Sequence, residues 1–269
     1  MNRIIEYEEF LENLKMKLFN NSKAVLINKL AANPNRFIGI FRPTSPDVKL
    51  IQNLTQSHEI SFGDFIEDIV TQYLGNYYNN LPKVAAYKGE QIMFDQLFEY
   101  NNTIYMIEQK MRDDHDSTKK RGQFDNFLKK IENLKMTYPN NNIEACMWFV
   151  DNSLKKNRKF YLSEIQKNNN IGVSLNLFYG AEFTNYLDKT RVWDELNEYL
   201  LRWKMAEDNK IELNFEKDWE ETKTELLEYV PKKVWKKLMK NQVVVDKILP
   251  ILFPTAKYKE ILEILDIEV

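Results

Sequence analysis

Two runs of largely alternating apolar residues, QIMFDQLFEY (Gln91 to Tyr100) and TIYMIEQKM (Thr103 to Met111), are separated only by Asn101 and Asn102. Asparagine tolerates the positive φ that a two-residue hairpin turn requires at both central positions, so this spacing specifies an antiparallel pair of strands. Residues two apart on a strand point to the same side, which places Glu108 and Lys110 on one face. Counting outward from the turn pairs Tyr100 with Thr103 and sets Asp95 opposite Glu108. Directly opposed Cβ atoms lie about 4.5 to 5.5 Å apart, close enough for the two carboxylates to share one cation. Without a cation, their like charges are expected to repel. Two carboxylates and an ammonium on one face form either a metal site with a proton-handling neighbour or an ordinary surface cluster. Glu99 is a rival first carboxylate, but it lies close to the turn.

The flanking segments define the fold around the hairpin. SFGDFIEDIVTQYLG reads as a helix with Ser61 as N-cap, Asp64 in the box position and Gly75 at the stop. After the polar loop RDDHDST, the stretch Lys119 to Met136 carries a helical stripe of Phe124, Phe127, Leu128, Ile131 and Leu134. IEACMWFV is a continuous apolar run, as expected of a strand covered on both faces, and VSLNLFYG reads as another strand. AEFTNYLDKTRVWDELNEYLLRWKMA continues as one or two helices. Residues 1 to 32 show helical spacing, NPNRFIGIFRPTSPD breaks it with a short extended piece, and the chain from Ile211 reads as helix interrupted by Pro231, Pro250 and Pro254. The expected fold class is α/β (α+β), a mixed central sheet flanked by helices with a helical C-terminal subdomain. The expected divisions are 1–54 (N-terminal helical and extended), 55–200 (core) and 201–269 (helical).

At 269 residues the chain can bury a sizeable core. Its N-terminus, MNRIIEYEEFLENLK, lacks the apolar centre of a signal peptide. No apolar run approaches the roughly 20 residues that span a bilayer. These features predict a soluble, cytoplasmic protein with no membrane partner. The single Cys146 cannot form an internal disulfide and reads as a small buried hydrophobe. The net charge of -2 is uninformative, but basic residues gather in KKRGQFDNFLKK, KKNRKF and PKKVWKKLMK. Such runs are usually solvated helix faces; beside a candidate metal site they point to an anionic polymer. With only 7 glycines and no glycine-rich phosphate loop, a nucleotide-hydrolysing motor is not indicated.

Carboxylate oxygens converging from adjacent strands suit a hard cation such as Mg2+. In phosphodiester hydrolysis that cation lowers the pKa of a bound water and neutralises charge, while Lys110 orients or deprotonates the water or stabilises the phosphate. Asp95, a spacer and then Glu108-Gln109-Lys110 resemble the signature of the PD-(D/E)XK nuclease superfamily, which includes most type II restriction endonucleases. The flanking helices and strands over residues 60 to 180 resemble the superfamily's core order. NLTQSHEISFGDFIED and IEQKMRDDHDSTKKRGQFDNF are similar to restriction enzymes that cut interrupted palindromes such as GANTC. One departure is Phe94 in the place of the motif's proline.

The resemblance implies a Mg2+-dependent enzyme on double-stranded DNA, with Asp95 and Glu108 as metal ligands and Lys110 as a catalytic group. It also implies a role for a glutamate on the first core helix, for which Glu67 fits best, with Asp64 and Asp68 as rivals, and a companion DNA methyltransferase. Reading a palindrome implies a homodimer. The expected DNA contacts are Arg112, Lys119, Lys120, Arg121 and Gln123, near the start of the helix after the lysine strand. His115 and His58 lack the partners of a zinc site. Two alternatives stand beside this reading: a repair or recombination nuclease on the same core, and a non-catalytic DNA-binding protein.

Overall fold

A computed structural model of the chain describes residues 3–87, 89–206 and 211–267. The ends of the expected terminal helical regions, residues 1–2 and 268–269, and residues 207–210 lie outside them. Helices α1 (Tyr7–Phe19), α2 (Ser22–Ala32), the single turn α3 (Asn35–Ile38) and the long α4 (Pro46–Gly75) come first. Strands β1 (Asn79–Asn80), β2 (Val84–Tyr87), β3 (Glu90–Met93), β4 (Gln96–Tyr100) and β5 (Thr103–Lys110) follow. Next come α5 (Ser117–Thr137), β6 (Asn142–Phe149), α6 (Arg158–Lys167), β7 (Ser174–Tyr179), α7 (Ala181–Tyr186) and α8 (Thr190–Ala206). The rest is helical: α9 (Trp219–Tyr229), α10 (Lys232–Met239), α11 (Gln242–Lys247), α12 (Leu249–Leu252) and α13 (Tyr258–Ile264).

The chain divides into two compact units, Met1–Leu11 with Gly63–Ala206, and Glu12–Phe62 with Glu207–Val269. The first holds a five-stranded mixed sheet in the order β1-β4-β5-β6-β7. Asn101 and Asn102 turn the hairpin at φ 49° and 58°, and Tyr100 pairs with Thr103, the register counted from the sequence. β5 then runs parallel to β6, and β6 to β7. Parallel neighbours need crossovers, and α5 and α6 supply them. One sheet face packs on α5 through Phe124, Phe127, Ile131 and Leu134, against Ile104, Met106, Ala145 and Met147. The fold is the mixed α/β, restriction-endonuclease-like core expected from the sequence. In the second unit, Leu26, Leu30, Phe37 and Leu50 share a core with Leu226, Trp235, Phe253 and Ile261.

Three local expectations are corrected. Ser61 caps nothing: α4 starts fifteen residues earlier at Pro46, and no helix breaker lies between Asp47 and Ile60. Proline suits a first helical position because its missing N–H would be unpaired there anyway. The segment around Phe37 forms the turn α3 rather than an extended piece, with the Phe37 and Ile38 N–H groups donating to the Pro34 carbonyl. The run from Gln91 to Tyr100 is two strands, not one. β3 pairs with β2 in a separate two-stranded sheet and β4 with β5, and the chain passes between them at Phe94 and Asp95.

Candidate active site

The passage from β3 to β4 is what positions Asp95. Phe94 is buried and its N–H donates to the Lys83 carbonyl, which pins the chain on one side. The Gln96–Ile107 pairing fixes it on the other and extends to bring Asp95 beside Glu108. Asp95 Oδ2 accepts from the Gln109 backbone N–H and from Lys110 Nζ, each at 2.8 Å. Lys110 Nζ also lies 2.8 Å from Glu108 Oε1. The three residues expected to share a face therefore meet, at the C-terminal end of a strand with a parallel neighbour, where open α/β sheets bind ligands. Glu99 pairs with Ile104 and Asn79, away from this cluster.

A fourth residue completes it. Lys130 projects from α5, on the same side as Phe127, Ile131 and Leu134, and forms an ion pair with Glu108 Oε2. Its Nζ lies 3.5 Å from Asp95 Oδ1. Glu108 and Lys130 are only 3% and 5% exposed. The expected unrelieved repulsion between Asp95 and Glu108 is thus absent, because two ammonium groups neutralise two carboxylates. The sequence places Lys130 at the end of the basic run KKRGQFDNFLKK, expected as a solvated helix face or a contact to an anionic polymer. It is instead buried and paired with Glu108, and its position three residues after Phe127, inside the apolar stripe, is the signal that marks it as an inward-facing partner. Burial opposes the charge on Lys110, but Glu108 and Asp95 outweigh it and raise its pKa to about 12.

A cleft of about 210 Å³ opens over this cluster, lined by Gly63, Asp64, Glu67, Asp95, Gln109, Lys110 and Met111. Glu67 comes from α4 and accepts from Lys83 Nζ at 2.9 Å. Burial raises its pKa, Lys83 opposes that rise, and Asp95 adds to it. Of its two rivals, Asp64 shares the cleft wall and Asp68 does not. On the opposite face of the hairpin, Gln96 donates to Gln109 Oε1 at 3.2 Å and to the Glu67 carbonyl at 2.7 Å, and accepts from the Thr71 hydroxyl. Gln96 and Gln109, both buried, thereby tie the strand pair to the helix that carries Glu67.

Among the described residues no group of three His, Cys, Asp or Glu side chains is arranged to hold a metal ion. Two carboxylates do converge on one cationic centre, and the Lys110 ammonium stands where they meet. Hard oxygen donors of this number suit Mg2+, which is commonly bound through one or two carboxylates and completes its shell with water and substrate phosphate. The donor set therefore fits the ion.

The expected DNA contacts do not form one uniform patch. Arg112, Lys119 and Arg121 are exposed at the loop and first turn of α5, where Asp116 caps the helix by accepting from the Lys119 N–H. Lys120 Nζ stacks 4.7 Å from the Phe160 ring, and Gln123 Oε1 accepts from the Tyr161 hydroxyl at 2.9 Å. His115 lies 3.6 Å from Asp114, with its pKa lowered by burial and by Lys119. In the other unit His58 sits edge-on to Phe19, its pKa lowered by burial. The fixed point of the loop is Asp113, which no sequence pattern marks out. It is fully buried and accepts from the Asn157 N–H, the Asn157 side chain and the Tyr179 hydroxyl at 2.8 to 2.9 Å.

A mixed sheet with an acid, a Glu-x-Lys strand and a flanking helical cleft defines a PD-(D/E)XK-type nuclease core. The family described as "Type II restriction endonuclease, HinfI" matches residues 6–90 and 77–204, and the chain belongs to that family. Its members are type II restriction endonucleases, site-specific DNA hydrolases, and DNA is the binding partner this implies. No curated protein matches the chain. Among the described residues no helix is long and apolar enough to cross a membrane.

Proposed function

We propose that the protein is a Mg2+-dependent type II restriction endonuclease that hydrolyses both strands of a short, interrupted palindrome of the GANTC kind. The observation that carries this reading is the convergence of Asp95 and Glu108 on the Lys110 ammonium, with Asp95 and Lys110 lining the cleft. Asp95 and Glu108 would hold the metal. When bound, the ion supplies a water of lowered pKa and a counter-charge for the phosphodiester. Lys110 moves from its carboxylate partners to the phosphate, where its ammonium stabilises the extra negative charge of the transition state. Lys130 keeps Glu108 in place while that exchange occurs. Glu67, on the cleft wall, would orient the attacking water. Arg112, Lys119, Lys120 and Arg121 contact phosphates beside the cut, with Gln123 behind them.

Palindromic readout calls for a homodimer, and a chain that cuts unmodified DNA implies a companion methyltransferase. The family match favours this reading over an end-acting repair nuclease on the same core. Incubation with unmethylated phage DNA and magnesium, followed by sequencing of the fragment ends, tests it. A single short sequence at every end is expected. A smear with no common end, or no cutting with any divalent ion, rejects it.

A further inference from the structure

In the second unit, the connection from α3 to α4 makes a turn closed by the Arg42 N–H donating to the Gly39 carbonyl at 2.9 Å. Its tip is Ile40 and Phe41, 91% and 93% exposed, the most exposed large apolar side chains among the described residues. The turn is well anchored. Phe37, just before it, is fully buried, and a Cβ on Gly39 would lie 2.6 Å from the Asn35 carbonyl oxygen, so glycine is what lets the chain fold back there. Two large apolar groups on a braced tip carry a hydration cost that no described residue relieves, a common mark of an interaction site.

The surrounding charge indicates the partner. The sequence from Leu14 to Pro46 carries no acidic residue; the acid that meets α2, Glu225 of α9, does so at the Ala24 N–H, and Arg36 and Arg42 are the basic residues next to the turn. Both arginines are exposed, Arg36 on α3 four residues before Ile40 and Arg42 immediately after Phe41. Apolar side chains bordered by arginines are the equipment with which proteins part stacked bases while holding the adjoining phosphates. We propose that the Gly39–Arg42 turn wedges Ile40 and Phe41 into a base step of duplex DNA, with Arg36 and Arg42 on the neighbouring phosphates. The wedge rests on the chain's acting on DNA and is independent of which residues cut. Its insertion deforms the duplex at a cost that depends on the step parted, so the turn adds sequence preference at a position read by no hydrogen bond.

The test measures DNA binding in EDTA, where cutting does not interfere, on the plasmid fragment the wild type binds most tightly, with 2-aminopurine at each adenine position in turn. Wild type is expected to raise the fluorescence at one step. Ile40→Ser/Phe41→Ser should abolish that signal and weaken binding at least about tenfold with an unchanged melting temperature. Arg36→Gln/Arg42→Gln should flatten the salt dependence by about 0.9 log unit per decade for each phosphate no longer neutralised. Absence of a fluorescent step in wild type, or equal binding by the serine variant, overturns the wedge. Loss of self-association by that variant at unchanged DNA affinity also overturns it and makes the turn an interface between copies. A protein that never cuts with magnesium, yet loses DNA on serine substitution, refutes the cleavage reading and keeps the wedge.

Discussion

Lys130 alters what substitution at the carboxylate pair means. Removing the Glu108 carboxylate leaves a buried ammonium with only Asp95, at 3.5 Å, so Glu108→Ala tests stability as well as catalysis. Glu108→Gln keeps the shape, and Lys110→Ala leaves the Glu108–Lys130 pair intact. Each is expected to lower single-turnover cleavage at least about a hundredfold while gel shifts still show specific binding. Cleavage by Lys110→Ala within threefold of wild type would remove the proposed site. Lys130→Met should cost about 1.5 to 3 kcal/mol in urea melts, since it removes one of the two ammonium partners of the buried Glu108 and leaves that carboxylate with Lys110, and adding Glu108→Gln should recover most of that loss. A Lys130→Met protein as stable as wild type would show that the pair does not brace the fold. With its charges already balanced, the site gains little from a divalent ion until a DNA phosphate brings further negative charge. Calcium should therefore raise the melting temperature more with DNA present than without, and Asp95→Asn should erase both responses. An equal calcium shift with and without DNA would contradict the balanced-charge account.

At the scale of elements, the hairpin was the most legible part of the chain. Its period-two pattern and paired asparagines specified the register from Gln96 to Thr103, and that register, with Phe94 pinned to Lys83, carries Asp95 to Glu108. β6 was legible from its unbroken apolar run. What stayed hidden depends on partners distant in sequence. The division of Gln91 to Tyr100 into β3 and β4 follows from pairing with β2, and the membership of Lys130 follows from how α5 lies on the sheet. α4 was misread because Ser61 and Asp64 satisfy a capping pattern inside a helix that tertiary packing carries straight through them. The start of α5 supports a prediction of its own. Neutralising Lys119, Lys120 and Arg121 together should weaken binding to all sequences and flatten the salt dependence by roughly 0.9 log unit per decade for each phosphate they neutralise in the wild type. Because Lys120 stacks on Phe160, Lys119 and Arg121 should account for most of the change. An unchanged slope in a salt titration would return this helix end to plain solvation.

Across the whole molecule, both compact units draw on segments far apart in the chain, an arrangement that no local periodicity announces. The proposed palindromic readout requires a two-fold assembly, so sedimentation on target DNA should give protein of twice 32.2 kDa per site. One copy per site would be incompatible with symmetric cutting. Cys146 offers a separate view of the molecule. It is the chain's single cysteine, wholly buried on β6 between Ile107 of β5 and Asn176 of β7, and burial raises its thiol pKa. A thiol-modifying dye can reach it only after the packing that covers this face of the sheet opens. In the native protein its labelling rate becomes a stopwatch for core opening, one that runs without mutation or isotope and stays silent to fraying at helix ends.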